Sequence, residues 1–139
     1  MKVRVIAVGK LKKSYISRGV KDFEARIPHY IPFEIVEVEQ EDMLKYLSEK
    51  FFNVVLDRDG KQLDSEEFAK FIEEKMIYFK KDIAFFIGGA DGFGRDFVKS
   101  CNFSLALSEM TFPHEFARLL LLEQIYRAFT IIKGEKYHK

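Results

Sequence analysis

The chain has 139 residues, one domain's worth, with 47% apolar and 32% charged residues, three prolines and eight glycines. That composition belongs to a folded globular protein and excludes disordered and fibrous classes. Its single cysteine, Cys101, excludes an internal disulfide, and its net charge of +1 conceals basic ends around an acidic middle.

Residues 1–30 carry eight Lys or Arg against two acids, residues 31–80 seven against thirteen, and residues 126–139 four against one. If the two ends meet in space, they form a positive surface suited to nucleic acid phosphate; a solvated face without a partner explains the same charges. No segment reaches the roughly 20 apolar residues of a membrane span. The opening run, interrupted by Lys2 and Arg4, does not read as a signal peptide. The expectation is a soluble, cytoplasmic protein without a membrane partner.

Val3, Val5, Ile6, Ala7 and Val8 predict an opening strand that stops at Gly9. Residues 14–26 predict a helix with Ser14 as N-cap and Pro28 beyond its end. Phe33, Ile35, Val36 and Val38 predict a second strand, after which Glu39, Glu41 and Asp42 open a short helix. The near-continuous apolar run 52–56 predicts a strand covered on both faces, with 57–61 as its exit loop. A helix over 65–79 follows, capped by Asp64 or Ser65. Residues 83–87 predict a fourth strand running into Gly88 and Gly89, residues 96–100 a short helix, and residues 103–107 a fifth strand. The last helix runs from near Pro113 to Lys133, where Gly134 ends it.

This alternation, without linker or repeat, predicts an α/β single domain over 1–139 with a mostly parallel central sheet. The last helix is apolar almost all round, from Phe116 through Leu119, Leu122 and Ile125 to Ile132. So wide an apolar surface predicts partial burial against a second subunit, the alternative being a fully enclosed central helix.

Ligands of open parallel sheets bind beyond the carboxyl ends of the strands. Three such ends stand out: 56–60, 87–92 and 107–114. Gly88, Gly89, Gly92 and Gly94 allow a backbone to approach a ligand closely, and a structural turn explains them equally well. Neither a dinucleotide-binding glycine pattern nor a P-loop is present. His29, His114 and His138 share no ligand spacing with one another or with Cys101, so no metal is expected. His114 either faces a pocket or caps the last helix. Glu123 and Arg127, four apart on that helix, read as a routine pair or as a functional one. The tail Lys136-Tyr137-His138-Lys139 suits base stacking and phosphate contact, or is a frayed terminus.

Four ordered motifs extend this reading: F-F-I-G-G-A-D-G-F at 85–93, L-S-E-M-T-F-P-H at 107–114, R-L-L-L-L-E-Q-I-Y-R-A at 118–128 and the ending K-Y-H-K. Together with V-R-V-I-A-V-G-K and P-F-E-I-V-E-V near the N-terminus, they make nearly the whole chain resemble the RlmH family, small SPOUT-class methyltransferases of large-subunit ribosomal RNA. The resemblance implies a homodimer with a C-terminal trefoil knot. It also implies methyl transfer from S-adenosyl-L-methionine to N3 of a pseudouridine in ribosomal RNA.

By the same resemblance, the methyl donor meets Leu56, Gly88, and the segment Leu107, Ser108, Glu109, Met110, Thr111 and Phe112. His138 or Tyr137 acts near the target base as proton acceptor or orienting group, Arg127 contacts phosphate or the developing imide charge, and Glu123 orients Arg127. So small a protein has no separate RNA-binding domain. The expected substrate is therefore RNA within the assembled ribosome, met by the dimer surface, the basic N-terminal third and the opposite subunit's tail. Competing readings are a related methyltransferase of transfer RNA or of a ribose 2'-hydroxyl, and a ribosome-binding factor without activity.

Overall fold

β-Branched residues favour extended backbone, and Val3, Val5 and Ile6 lie within the first strand, β1 (Val3–Val8), of the computed structural model, which describes residues 1–138. Lys139 of the basic tail lies outside the described residues. Along the chain follow α1 (Ser14–Arg26), a 3-10 turn at Ile27–His29, β2 (Phe33–Val38), a 3-10 segment at Gln40–Tyr46, and β3 (Phe51–Gln62). Then come α2 (Ser65–Tyr78), β4 (Asp82–Ile87), α3 (Arg95–Ser100), β5 (Phe103–Ala106) and α4 (His114–Ile132). All five strands are parallel, in the order β2-β1-β4-β3-β5. The parallel α/β architecture is the one the alternation predicts, and it puts all five carboxyl ends along one edge.

Successive strand side chains point to opposite faces. Val3, Val5, Val54 and Phe85 pack with Val20, Phe68, Leu121 and Ile125 under α1, α2 and α4. Ile6, Val55, Ala84 and Phe86 pack on the other face with Met43 and Phe97, from the 3-10 segment and α3. Helix α4 packs against both α1 and α2. Leu121, Leu122, Ile125 and Ala128 are fully buried within the one chain, whereas Leu120 of α4 and Tyr15 of α1 stay 38% and 53% exposed. Much of α4's apolar girth is therefore covered by its own chain, and a narrower apolar strip remains outward.

Several boundaries differ from the sequence reading. Ser14 is the first residue of α1; Lys13 holds the N-cap position, with no side-chain cap. Helix α2 has Asp64 as its cap, in a reciprocal box: Glu67 N–H donates to Asp64 at 2.7 Å and Asp64 N–H donates to Glu67 at 2.8 Å. The exit loop expected at 57–61 lies within β3. Leu56 and Lys61 both pair opposite Leu105, so the chain makes a four-residue excursion and returns to the same neighbour. Gly60 makes the return feasible, since a Cβ there would lie 2.7 Å from the Ser104 carbonyl.

Candidate active site

The carboxyl ends of β4 and β5, with the middle of β3 where its excursion begins, open into one cleft of about 620 Å³. Leu56, Asp57 and Arg58 form one wall, Gly88, Gly89 and Gly92 a second, and Leu107, Ser108, Met110, Thr111 and Phe112 a third. Seven of the eight residues expected to meet a cofactor therefore line one concavity. Glu109 is exposed and lies outside the lining. The Met110 N–H donates to Ser108 Oγ at 2.9 Å, which shapes the third wall. The second wall is a tight turn in which Gly92 N–H donates to the Gly89 carbonyl at 3.0 Å. A Cβ on Gly88 would come within 3.1 Å of the Gly92 backbone. The turn's own closure thus disfavours a side chain at 88, which accords with the structural-turn reading of these glycines.

His114 and Ala117, from the first turns of α4, complete the cleft, so His114 faces the pocket and makes no capping bond. No metal-binding group of His, Cys, Asp and Glu occurs among the described residues. Burial raises the Cys101 thiol to about 11, which keeps it protonated and fits a packing role.

The four residues expected to serve the target base form a second cluster. Gly134, at φ +71°, closes α4 with a Schellman turn: Glu135 N–H donates to Thr130 and Gly134 N–H to Ile131. Tyr30 OH donates to Glu135 at 2.6 Å, and the chain folds back along α4. Arg127 donates to Glu123 from Nη2 at 2.7 Å and from Nε at 3.2 Å, while Tyr137 OH donates to the same carboxylate at 2.9 Å. The His138 ring lies 3.0 Å from Arg127 Nη1 and 3.6 Å from Glu66. Glu123 raises the Arg127 guanidinium above its usual range, and burial together with Glu123 raises the Tyr137 phenol. Tyr137 is therefore a donor at neutral pH.

The cleft and this cluster are not brought together within one chain. His114 and Arg127 are thirteen residues apart on α4, about 20 Å at a rise of roughly 1.5 Å per residue. Between them lies a second cavity of about 350 Å³ that shares Leu105, Leu107 and Phe112 with the cleft and reaches Ser65 and Gln124. Ser65 donates to Gln124 at 2.7 Å and Gln124 to Glu123 at 2.8 Å, which ties that cavity to the tail cluster.

Over residues 1–138 the chain matches the family described as "Predicted SPOUT methyltransferase". It is 52% identical to a Coprothermobacter proteolyticus protein named ribosomal RNA large subunit methyltransferase H, over the full length of both. A protein of the same name from Clostridium kluyveri is 38% identical, again covering all of both chains. The chain belongs to the SPOUT methyltransferase family. A structure of "a probable methylase family protein" from Haemophilus influenzae aligns with a TM-score of 0.63 at 12% identity, covering 99% of this chain and 70% of that one. The SpoU methyltransferase AviRb of Streptomyces viridochromogenes, solved with AdoMet, aligns at 0.55 and 12%, covering 96% and 58%. At these identities the likeness is one of fold.

Ala117 of this SPOUT methyltransferase lines the cleft without having been singled out from sequence. Asp57 and Arg58 line it too, within the segment 56–60 expected to meet a ligand, although the sequence assigns neither a role of its own. Glu115 and Arg118, to which the sequence reading assigns no role, are both buried charges. For Arg118 a signal existed: it is a lone cation directly before four leucines on a helix otherwise read as core.

Proposed function

We propose that this SPOUT methyltransferase transfers a methyl group from S-adenosyl-L-methionine to N3 of a pseudouridine in large-subunit ribosomal RNA, within the assembled ribosome. The observation that carries the reading is the match at 52% identity, covering all of both chains, to a relative named for large-subunit ribosomal RNA. The cleft suits the methyl donor. Its volume falls within the range of roughly 300–1,000 Å³ usual for small-molecule sites. Leu56, Leu107 and Phe112 offer apolar contact to a purine, and the glycine turn and the 107–112 segment offer backbone groups. Bound there, the donor would supply an activated methyl carbon on a sulfonium.

The remaining work is alignment of the target nitrogen and removal of its proton. Positioning can lower a barrier by roughly 7–11 kcal/mol in favourable cases. Arg127, held in place by Glu123, and the Tyr137 and His138 side chains would orient the base and its phosphates. Because that cluster stands about 20 Å along α4 from its own cleft, it reaches a target base only in the cleft of a second copy. The homodimer, paired through the outward strip with Tyr15 and Leu120, and the C-terminal knot belong to the same proposal.

The test is transfer from labelled S-adenosyl-L-methionine to intact ribosomes lacking the modification, with the labelled nucleotide identified by mass spectrometry. Label on N3 of one large-subunit pseudouridine is the expected result. Label on transfer RNA, on a ribose hydroxyl, or on no RNA would overturn it.

A further inference from the structure

Two buried charged side chains of α4 are turned away from the cleft. Glu115, 6% exposed, accepts from the backbone N–H groups of Lys12 at 2.9 Å and Lys13 at 3.1 Å. Arg118, 2% exposed, donates from Nη2 to the Gly9 carbonyl at 3.0 Å and from Nη1 to Glu37 at 2.6 Å. Burying a charge costs free energy unless its hydrogen bonds are replaced. Apart from the bond to Glu37, every replacement here goes to the backbone of one short segment, residues 9–13.

That segment carries Lys10, Lys12 and Lys13, all exposed. Neither these nor Lys21 forms an ion pair among the described residues. Behind the segment lies a cavity of about 390 Å³, lined among others by Lys10, Ser17, Lys21, Glu24, Glu37 and Arg118. Arg118 engages Glu37, which leaves Lys10 and Lys21 against Glu24 in the lining. A rigid backbone thus presents unpaired cations around a polar hollow.

The hollow stands next to the cleft. Ala117 lines the cleft and Arg118, the following residue of α4, lines the hollow, so both open beside the same turn of one helix, about 100° apart around its axis.

We propose that residues 9–13 and the hollow behind them form a preorganised phosphodiester site, with Lys10 and Lys21 as contacting groups, for the RNA strand whose target base enters the cleft. The assignment rests on the RNA substrate proposed above. Phosphate contacts fix the register of a strand without reading its sequence, and register is what a reaction confined to one base requires. Anchoring the segment through Glu115 and Arg118 removes the ordering cost that a loose lysine loop would bear at each encounter.

The experiment compares the wild type with Lys10→Ala/Lys21→Ala, binding deproteinised large-subunit ribosomal RNA over a range of salt concentrations. The slope of log affinity against log salt should become shallower by about 1.4 to 1.8, roughly 0.7 to 0.9 for each of two phosphates no longer neutralised. Affinity for S-adenosyl-L-methionine, read by calorimetry, should stay unchanged. Lys70→Ala/Lys99→Ala removes equal charge from α2 and α3 and should leave the slope alone. A wild-type slope in the first variant, an equal flattening in both variants, or no RNA binding by the wild type overturns the site. Methyl transfer to intact ribosomes, followed in parallel, tests the substrate separately. Its absence in the wild type, with the slope still shallower in the first variant, would remove the substrate reading and leave the phosphate site standing.

Discussion

Arg127 donates from Nη1 to Nδ1 of His138 at 3.0 Å, across eleven residues of chain. A guanidinium has no acceptor, so the imidazole nitrogen facing it must be the unprotonated one, and Nε2–H points toward Glu66. The ring's lone pair is therefore already engaged. To take a proton from a substrate, His138 would first have to leave Arg127; to orient a base through Nε2–H, it need not move.

His138→Ala should accordingly lower methyl transfer by about tenfold to 10²-fold, at or below the lower end of general-base effects. Calorimetric affinity for S-adenosyl-L-methionine should be unchanged. A normal turnover rate would take His138 out of the reaction.

If the tail serves the cleft of a second copy, two defective chains should rescue each other. Co-expressed Gly88→Val and His138→Ala chains should regain activity in mixed dimers, because one interface then combines an intact cleft with an intact tail. Purified mixed dimers no more active than either parent would place tail and cleft in the same chain.

Gly88→Val adds a Cβ about 3.1 Å from the Gly92 backbone, with no flexible side chain there to yield. Loss of donor binding should therefore come with destabilisation of about 1–3 kcal/mol, typical of overpacking. Denaturant unfolding and calorimetry on the same sample check both halves, and full stability would return the requirement to ligand space alone.

Backbone N–H bonds, from Lys13 first, hold the Glu115 carboxyl below its usual range. A depressed folded-state value means that its contribution is present above the unfolded-state value and is lost as pH falls through the folded one. The wild type should thus melt higher than Glu115→Gln at neutral pH, with the gap closing under acid conditions. A gap independent of pH would show that the charge is not what matters.

Arg118→Met removes the donors to Gly9 and Glu37 while filling similar space. The Glu37 side chain is 38% exposed and can turn to water, so the loss should stay near 1–3 kcal/mol, below that of a fully buried pair. Equilibrium unfolding measures it, and a neutral substitution would mean that the segment 9–13 is held by other bonds.

The strands β1, β2 and β4 were legible because local apolar runs and their bounding glycine, proline and charged residues fix them. The far half of β3 was not, since Asp57-Arg58-Asp59-Gly60 has turn composition and its return depends on a partner, β5, more than forty residues away. In the site, the rule of carboxyl ends pointed to the loops that line the cleft. The separation between cleft and tail cluster was hidden, because spacing along a sequence becomes distance only once the intervening residues are known to be one helix. Arg118 was passed over because a leucine-rich stretch hides a cation whose partners, Gly9 and Glu37, lie far away in sequence.

Helix α4 bears the lip of the cleft at one end and the tail cluster at the other, and it makes a stiff gauge between them. One residue inserted between Ala117 and Glu123 would lengthen it by only about 1.5 Å, yet swing everything beyond by about 100°. Gln124 would leave the reach of Ser65 on α2, and the tail cluster would turn with it away from the rest of the fold. Relatives of this chain should therefore vary in length through their connecting loops and keep the residue count of this helix fixed.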